Sequence, residues 1–192
     1  MKSILDILTK GRSDTDEILK QYKSKVQVKR FKKGKILQHE GAVSSNVYFV
    51  KNGLLRSFVI DNKGKEHIFM FAPEGWLLSD FVAQTNNTPS DLFIDALEDV
   101  EVEVFNRDFL ESMSAKNPEN AKEGAFLLAR RNAVLQKRVI MLMSATALAR
   151  YQHFLETYPN IVQRVPQKMI ASYLGITPEA LSKIRGDIVK TK

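Results

Sequence analysis

QKMIASYLGITPEALSKIR, residues 167–185, reads as two short helices bent at a turn. Met169, Ile170 and Leu174 share one apolar face of the first helix, and Ala171 is small where a second helix must cross closely. Gly175 stands at the bend, where glycine takes a positive φ without steric cost. Ile176 enters the small core, Thr177 is a natural N-cap, and Pro178 is a natural first helical residue. Leu181 and Ile184 then face inward, which leaves Glu179, Ser182, Lys183 and Arg185 outward. A helix held this way offers polar side chains near its N-terminus to base edges in a major groove. Lysine donates to guanine, glutamate accepts from cytosine N4, and serine does either. Lys168, Arg164 and Lys190 are placed for phosphate contacts, which hold register without reading sequence. The candidate DNA-binding set is thus Thr177, Glu179, Ser182, Lys183, Arg185 and Lys168. A plain αα-hairpin with a basic face is the alternative.

Charge agrees with a polyanionic partner. The 192 residues carry a formal net charge of +7, and from Arg150 onward seven Lys/Arg face three acids. Upstream of Pro159, residues 147–158 form a helical segment, and residues 118–144 a long one. Leu128, Leu135 and Leu142 repeat every seven residues, and Phe126, Ala129, Ala133, Ile140 and Met143 make a second apolar face. A helix apolar on two sides must be covered on two sides. One face packs on the preceding domain, and the other suits a partner helix in a homodimer seam.

Residues 25–105 change period. Short β-rich runs (26–31, 47–50, 54–60, 67–71, 92–96 and 100–105) alternate with turns such as Asn52-Gly53 and Asn62-Lys63-Gly64. This spacing points to a jelly-roll barrel and not to a βαβ sheet. The expected class is α+β: residues 1–145 a sensor domain (jelly roll 25–105, long dimer helix about 118–144), residues 146–192 a helix-turn-helix domain. Residues 1–24 carry a helical pattern through Ile4, Leu5, Leu8, Ile18, Leu19 and Tyr22.

Over nearly its whole length the chain resembles the Crp/Fnr family of bacterial regulators. KKGKILQHEG (32–41), YFVKNGLLRSFVIDNKGKEH (48–67) and FIDALEDVEVEVF (93–105) look like that family's cyclic-nucleotide-binding-type jelly roll. Glu179, Ser182 and Lys183 look like its Glu-x-x-Ser-Arg recognition element, with lysine in the arginine position. Lysine lacks the rigid fork to guanine, so base discrimination there is expected to be looser. The resemblance implies a homodimer on double-stranded DNA with a two-fold symmetric site. It also exposes a departure. Cyclic-nucleotide sensors carry a Gly-Glu pair and, ten residues later, an Arg-Ser-Ala cassette; here the positions read Ser79-Asp80 and Ser90-Asp91-Leu92. A cyclic phosphate needs a charge-assisted partner, and Asp91 would repel it. Like charges about 4 Å apart at partial burial cost on the order of 4 kcal/mol. Standard cyclic AMP binding is therefore not expected, and the effector is an unidentified small molecule or none. Asp80, Ser90, Asp91 and Trp76 are the candidate ligand-binding residues, Trp76 for its apolar neighbours Phe69, Phe71, Leu77, Leu78 and Phe81.

Other chemistries find no support. There is no cysteine, which removes thiolate clusters and cysteine nucleophiles. His39, His67 and His153 are scattered, and the His-x-His pair of metal-binding barrels is missing, so neither a metal nor another cofactor is expected. Phosphate-binding loops, serine elbows and zincin helices are absent, so no catalytic residues and no enzymatic activity are expected. No apolar run is long enough to span a membrane, and no leader is evident, so a cytoplasmic protein is expected. The alternative function is a small-molecule-binding jelly roll whose terminal helices serve only assembly.

Overall fold

The structure, a computed structural model, describes residues 3–9, 15–43, 46–116 and 118–190. Helices α1 (Ile4–Thr9) and α2 (Thr15–Lys25) lead into two four-stranded antiparallel sheets. One sheet has the order β1 (Gln27–Phe31), β8 (Val100–Asn106), β3 (Asn46–Asn52), β6 (Leu77–Leu78). The other runs β2 (Ile36–Gln38), β7 (Phe93–Ala96), β4 (Leu55–Ile60), β5 (Glu66–Ala72). This is the expected jelly roll. The read runs all form strands, and β2 and β6 are additions too short to carry a period of their own. A short helix α3 (Phe81–Asn86) follows β6, and α4 (Arg107–Lys116) precedes the long helix α5 (Pro118–Ser144). Then come α6 (Ala147–Thr157), α7 (Gln167–Leu174) and α8 (Pro178–Lys190).

The N-terminal helical pattern forms the two helices α1 and α2. Their apolar residues Ile4 and Ile18 are buried against β3 and β8 residues Val47, Phe49 and Phe105; the side chain of Leu8 lies outside the described residues. A buried acid pins them. Glu103, 0% exposed, accepts from the Ser3 hydroxyl (2.6 Å), the Ile4 amide (2.7 Å) and the Tyr22 hydroxyl (2.9 Å). Burial beside that carboxylate pushes the Tyr22 phenol up to about 12.

The Asn52-Gly53 turn is sterically committed. Gly53 has φ +90°, and a Cβ there would stand 2.6 Å from the Asp99 carbonyl oxygen. Gly53→Ala is expected to cost roughly 2–3 kcal/mol, from the disallowed φ and the backbone shift together. A lowered urea midpoint with an unchanged m-value checks it.

One apolar core runs through both halves of the chain. Buried Phe71 and Trp76 of the barrel meet Phe154 and Tyr158 at α6 and Tyr173 of α7, with ring centroids 5.3–6.1 Å apart. Such aromatic pairs add about 0.5–1.5 kcal/mol each beyond the area they bury.

Candidate nucleic-acid interface and sensor site

The two terminal helices adopt the expected bend. Gly175 closes α7 in the left-handed region, φ 65° and ψ 37°, with its amide on the Ala171 and Ser172 carbonyls. Thr177 caps α8 by accepting the Ala180 amide at 3.2 Å. Ile170, Ala171, Leu174 and Leu181 are buried, so the inner faces are fixed. On the other side Thr177, Glu179, Ser182, Lys183 and Lys168 are exposed, while Arg185 is half-buried. The Glu179 carboxyl is pulled below its usual range by its own backbone amide and the Thr177 hydroxyl. It is therefore a fixed anionic acceptor beside a lysine donor.

Arg164 does not belong to this surface. Its guanidinium donates to Glu98 (2.9 and 2.6 Å) and to Glu74 (3.0 and 2.9 Å), which raises its pKa. Two carboxylates occupy the fork that a phosphate would need. The Lys190 side chain lies outside the described residues.

At the sensor end Asp80, Ser90 and Asp91 come together. The Asp80 carboxylate accepts from the Ser90 hydroxyl (2.7 Å), the Ala83 amide (3.0 Å) and the Asp91 amide (3.3 Å), and it is the N-cap of α3. Gln38 donates to the Ser90 hydroxyl at 2.8 Å. Asp80 and Ser90 are buried, and Asp91 is exposed. The polar groups of this loop are spent on one another. Trp76 does not join these hydrogen bonds: it packs at a tilt against Tyr158, ring centroids 5.5 Å apart, under the Arg130 guanidinium at 4.9 Å.

The sequence reading missed two arginines of α5. Arg131 lies over the Phe81 ring at 4.5 Å. Burial lowers its pKa, and the Asp80 carboxylate works against that loss. Arg138 donates to the carbonyls of Ile68 (3.0 Å) and Phe69 of β5 and of Tyr173 (2.9 Å) of α7, with its carbon centre 4.1 Å from the Tyr173 ring. The Ser172 hydroxyl accepts the Ile68 amide at 3.0 Å and donates to the Glu66 carbonyl at 3.2 Å. β5 is the edge of its sheet, and its register slips at Phe69, which leaves that residue outside the ladder. So the helix-turn-helix and one arginine satisfy a bulged sheet edge. The available signal was the seven-residue spacing of Arg131 and Arg138, which puts two cations on one face of the helix, in step with the leucine repeat.

Among the described residues no group of three or more His, Cys, Asp or Glu could hold a metal ion, and no helix is long and apolar enough to cross a membrane.

Residues 28–117 match the family model of the cyclic nucleotide-binding domain. The chain is similar to the anaerobic regulatory protein of Aggregatibacter actinomycetemcomitans, 25% identical over 176 residues that cover 84% of this chain and 66% of that protein. It is also similar to the fumarate and nitrate reduction regulatory protein of Vibrio cholerae, 25% identical over 178 residues, 85% of this chain and 69% of that protein. The chain thus spans about two thirds of the length of these curated relatives. Among solved structures, a CooA mutant from Carboxydothermus hydrogenoformans has a TM-score of 0.74 at 18% identity, covering 99% of this chain and 85% of that one. FixK2 from Bradyrhizobium japonicum has a TM-score of 0.71 at 20% identity, covering 86% and 85%. With a cyclic nucleotide-binding domain in front and two terminal helices bent at Gly175 behind, the chain shares its fold with a transcriptional regulator of the Crp/Fnr family from Eubacterium rectale, with a TM-score of 0.68 at 16% identity, covering 98% of this chain and 89% of that one.

Proposed function

We propose that this chain is a DNA-binding transcription regulator that works as a homodimer, with residues 1–145 as sensor and 146–192 as reader. The observation that carries the reading is the split character of α8: Leu181 is 0% exposed, while Glu179, Ser182 and Lys183 stand in solvent around its first turns. A short helix held rigidly by its core face and polar at its N-terminal outer face is what base-edge reading requires. The outer face of α5 supports the dimer. Phe126 (63%), Val139 (55%), Ile140 (48%) and Met143 (82%) are exposed along it, and large apolar side chains gathered on one helix in this way mark an association surface.

The sensor does not take cyclic AMP in the usual manner. Asp80 spends both oxygens on its own loop and cap, and the cassette offers a carboxylate, Asp91, where a cyclic phosphate needs a cation. An effector of another class, or none, sets the arrangement of the readers through its differential affinity for the two dimer states.

Selection of bound fragments from genomic DNA, followed by titration on the selected duplex, tests the proposal. Lys183→Ala is expected to cost roughly 1–3 kcal/mol on the selected duplex and to relax preference at one base position. An equal loss on every duplex would show that Lys183 touches only phosphate. No binding to any fragment at low salt would favour a small-molecule-binding barrel whose terminal helices serve assembly alone.

A further inference from the structure

Between the β4–β5 hairpin and the turn of the helix-turn-helix lies an open cleft of about 710 Å³. Lys65 and His67 line its barrel side, and Lys168, Ser172, Thr177 and Pro178 line the other. It therefore opens beside the first turn of α8, where the base-reading side chains begin. Its barrel wall is a turn over residues 61–65, built on Asp61, which accepts the Lys63 amide (2.9 Å) and the Lys65 amide (3.0 Å). The turn is thereby held in one shape.

The charges of this cleft are sorted by partner. Asp61 is engaged by the His67 ring at 2.8 Å, and that contact, with the two amides, holds its carboxyl down at about 2. Glu66 is drawn back to Arg56 at 2.6 Å. Lys63, Lys65 and Lys168 are exposed, and among the described residues no acid is ion-paired with any of them. Glu66 is thus neutralised by Arg56, and Asp61 is an anion spent on the amides of its own turn; Lys65 and Lys168 line opposite walls of the cleft, and Lys63 is exposed in the adjoining turn. Free, closely grouped lysines next to a base-reading helix are what a phosphodiester backbone binds, as point charges and without sequence preference.

We infer that the β4–β5 hairpin of the sensor is itself part of the DNA interface: one strand of the duplex passes along the cleft, with Lys63 and Lys65 on its phosphates from one side and Lys168 from the other. This rests on the DNA-binding reading above and extends it to a contact made by the barrel. The contact also couples the two halves, since a reader displaced from β5 would leave the hairpin lysines behind and lose their phosphates.

The test uses the full chain and a Lys63→Ala/Lys65→Ala double variant, each titrated with a selected duplex and with an unrelated one across a salt series. Each phosphate contact contributes about 0.9 to the slope of log affinity against log salt. The double variant removes two contacts from each protomer of the dimer and is expected to lose about 3.6 from that slope on both duplexes, so that from 50 to 200 mM salt its affinity falls roughly 150-fold less than that of the parent. Both lysines sit in an exposed turn, and an unchanged melting temperature shows that the fold is intact. An unchanged slope, with the parent still binding DNA, overturns the hairpin contact and leaves the DNA-binding reading standing. Tighter binding by the variant also overturns it, because the hairpin would then be a barrier. A parent that binds neither duplex overturns both.

Discussion

Asp95→Ala is expected to lower the stability of the chain by about 3 kcal/mol or more, the range seen when one partner of a buried ion pair is removed. Asp95 and Arg56 are cross-strand neighbours on β7 and β4, 8% and 5% exposed. The guanidinium meets the carboxylate through two hydrogen bonds of 2.8 and 2.9 Å, reaches Glu66 with its third nitrogen at 2.6 Å, and lies 4.1 Å over the Phe58 ring. An arginine cannot shed its proton to relieve burial. Without Asp95 it keeps its charge inside the sheet with Glu66 alone, and Glu66 is a half-exposed partner that solvent screens. Urea unfolding of parent and variant measures the loss. A drop below about 1 kcal/mol would mean that Glu66 takes over the pair, in which case Glu66→Gln in the Asp95→Ala background should restore the large effect.

Arg138→Met is expected to cost about 3 kcal/mol, although the replacement keeps an apolar stem of similar length. Three carbonyls from two elements lose charge-assisted donors, each worth roughly 1.5–3 kcal/mol before solvent repairs part of the loss. The effect should be local as well as global. Amide exchange of β5 and α7 should accelerate more than that of β3 and β8, because the lost donor joins the first pair and leaves the second alone. Uniform acceleration across all four elements would show that the arginine is not a joint between barrel and reader. A change confined to α5 would show the same.

Much of this architecture was legible in the chain. Gly175, Thr177 and Pro178 carry conformational preferences that survive any context, so the bend and the start of α8 followed from local chemistry. The strands and α5 followed from period, and the juxtaposition of Asp80 and Ser90 from the resemblance to the Crp/Fnr jelly roll. What escaped notice depends on residues far apart. Glu103 has an ordinary place in an alternating strand, and only its burial under Ser3 and Ile4, about a hundred positions away, reveals that it anchors the N-terminal helices. Arg138 reads in sequence as a solvated cation on a helix; its three carbonyl partners belong to β5 and α7. Arg164 reads as a phosphate ligand for the same reason, until Glu74 and Glu98 are found around it. Trp76 shared a cluster with Phe81 in sequence, but it packs on Tyr158, while Phe81 opens α3 and packs under Arg131. Long-range pairing assigns a polar side chain its role, and no window of neighbours contains that pairing.

The sheet edge at β5 carries a cost for any moving version of this molecule. Its outward amide and carbonyl groups are satisfied by Ser172 and Arg138, so lifting the reader away bares a bulged strand with hydrogen-bonding capacity to spare. Bare strands of this kind recruit foreign strands and seed aggregates. Under the proposed function, a swing of the reader must therefore supply a replacement cover, or be brief and small. Solubility on release of the two terminal helices would then be a property of any such switch.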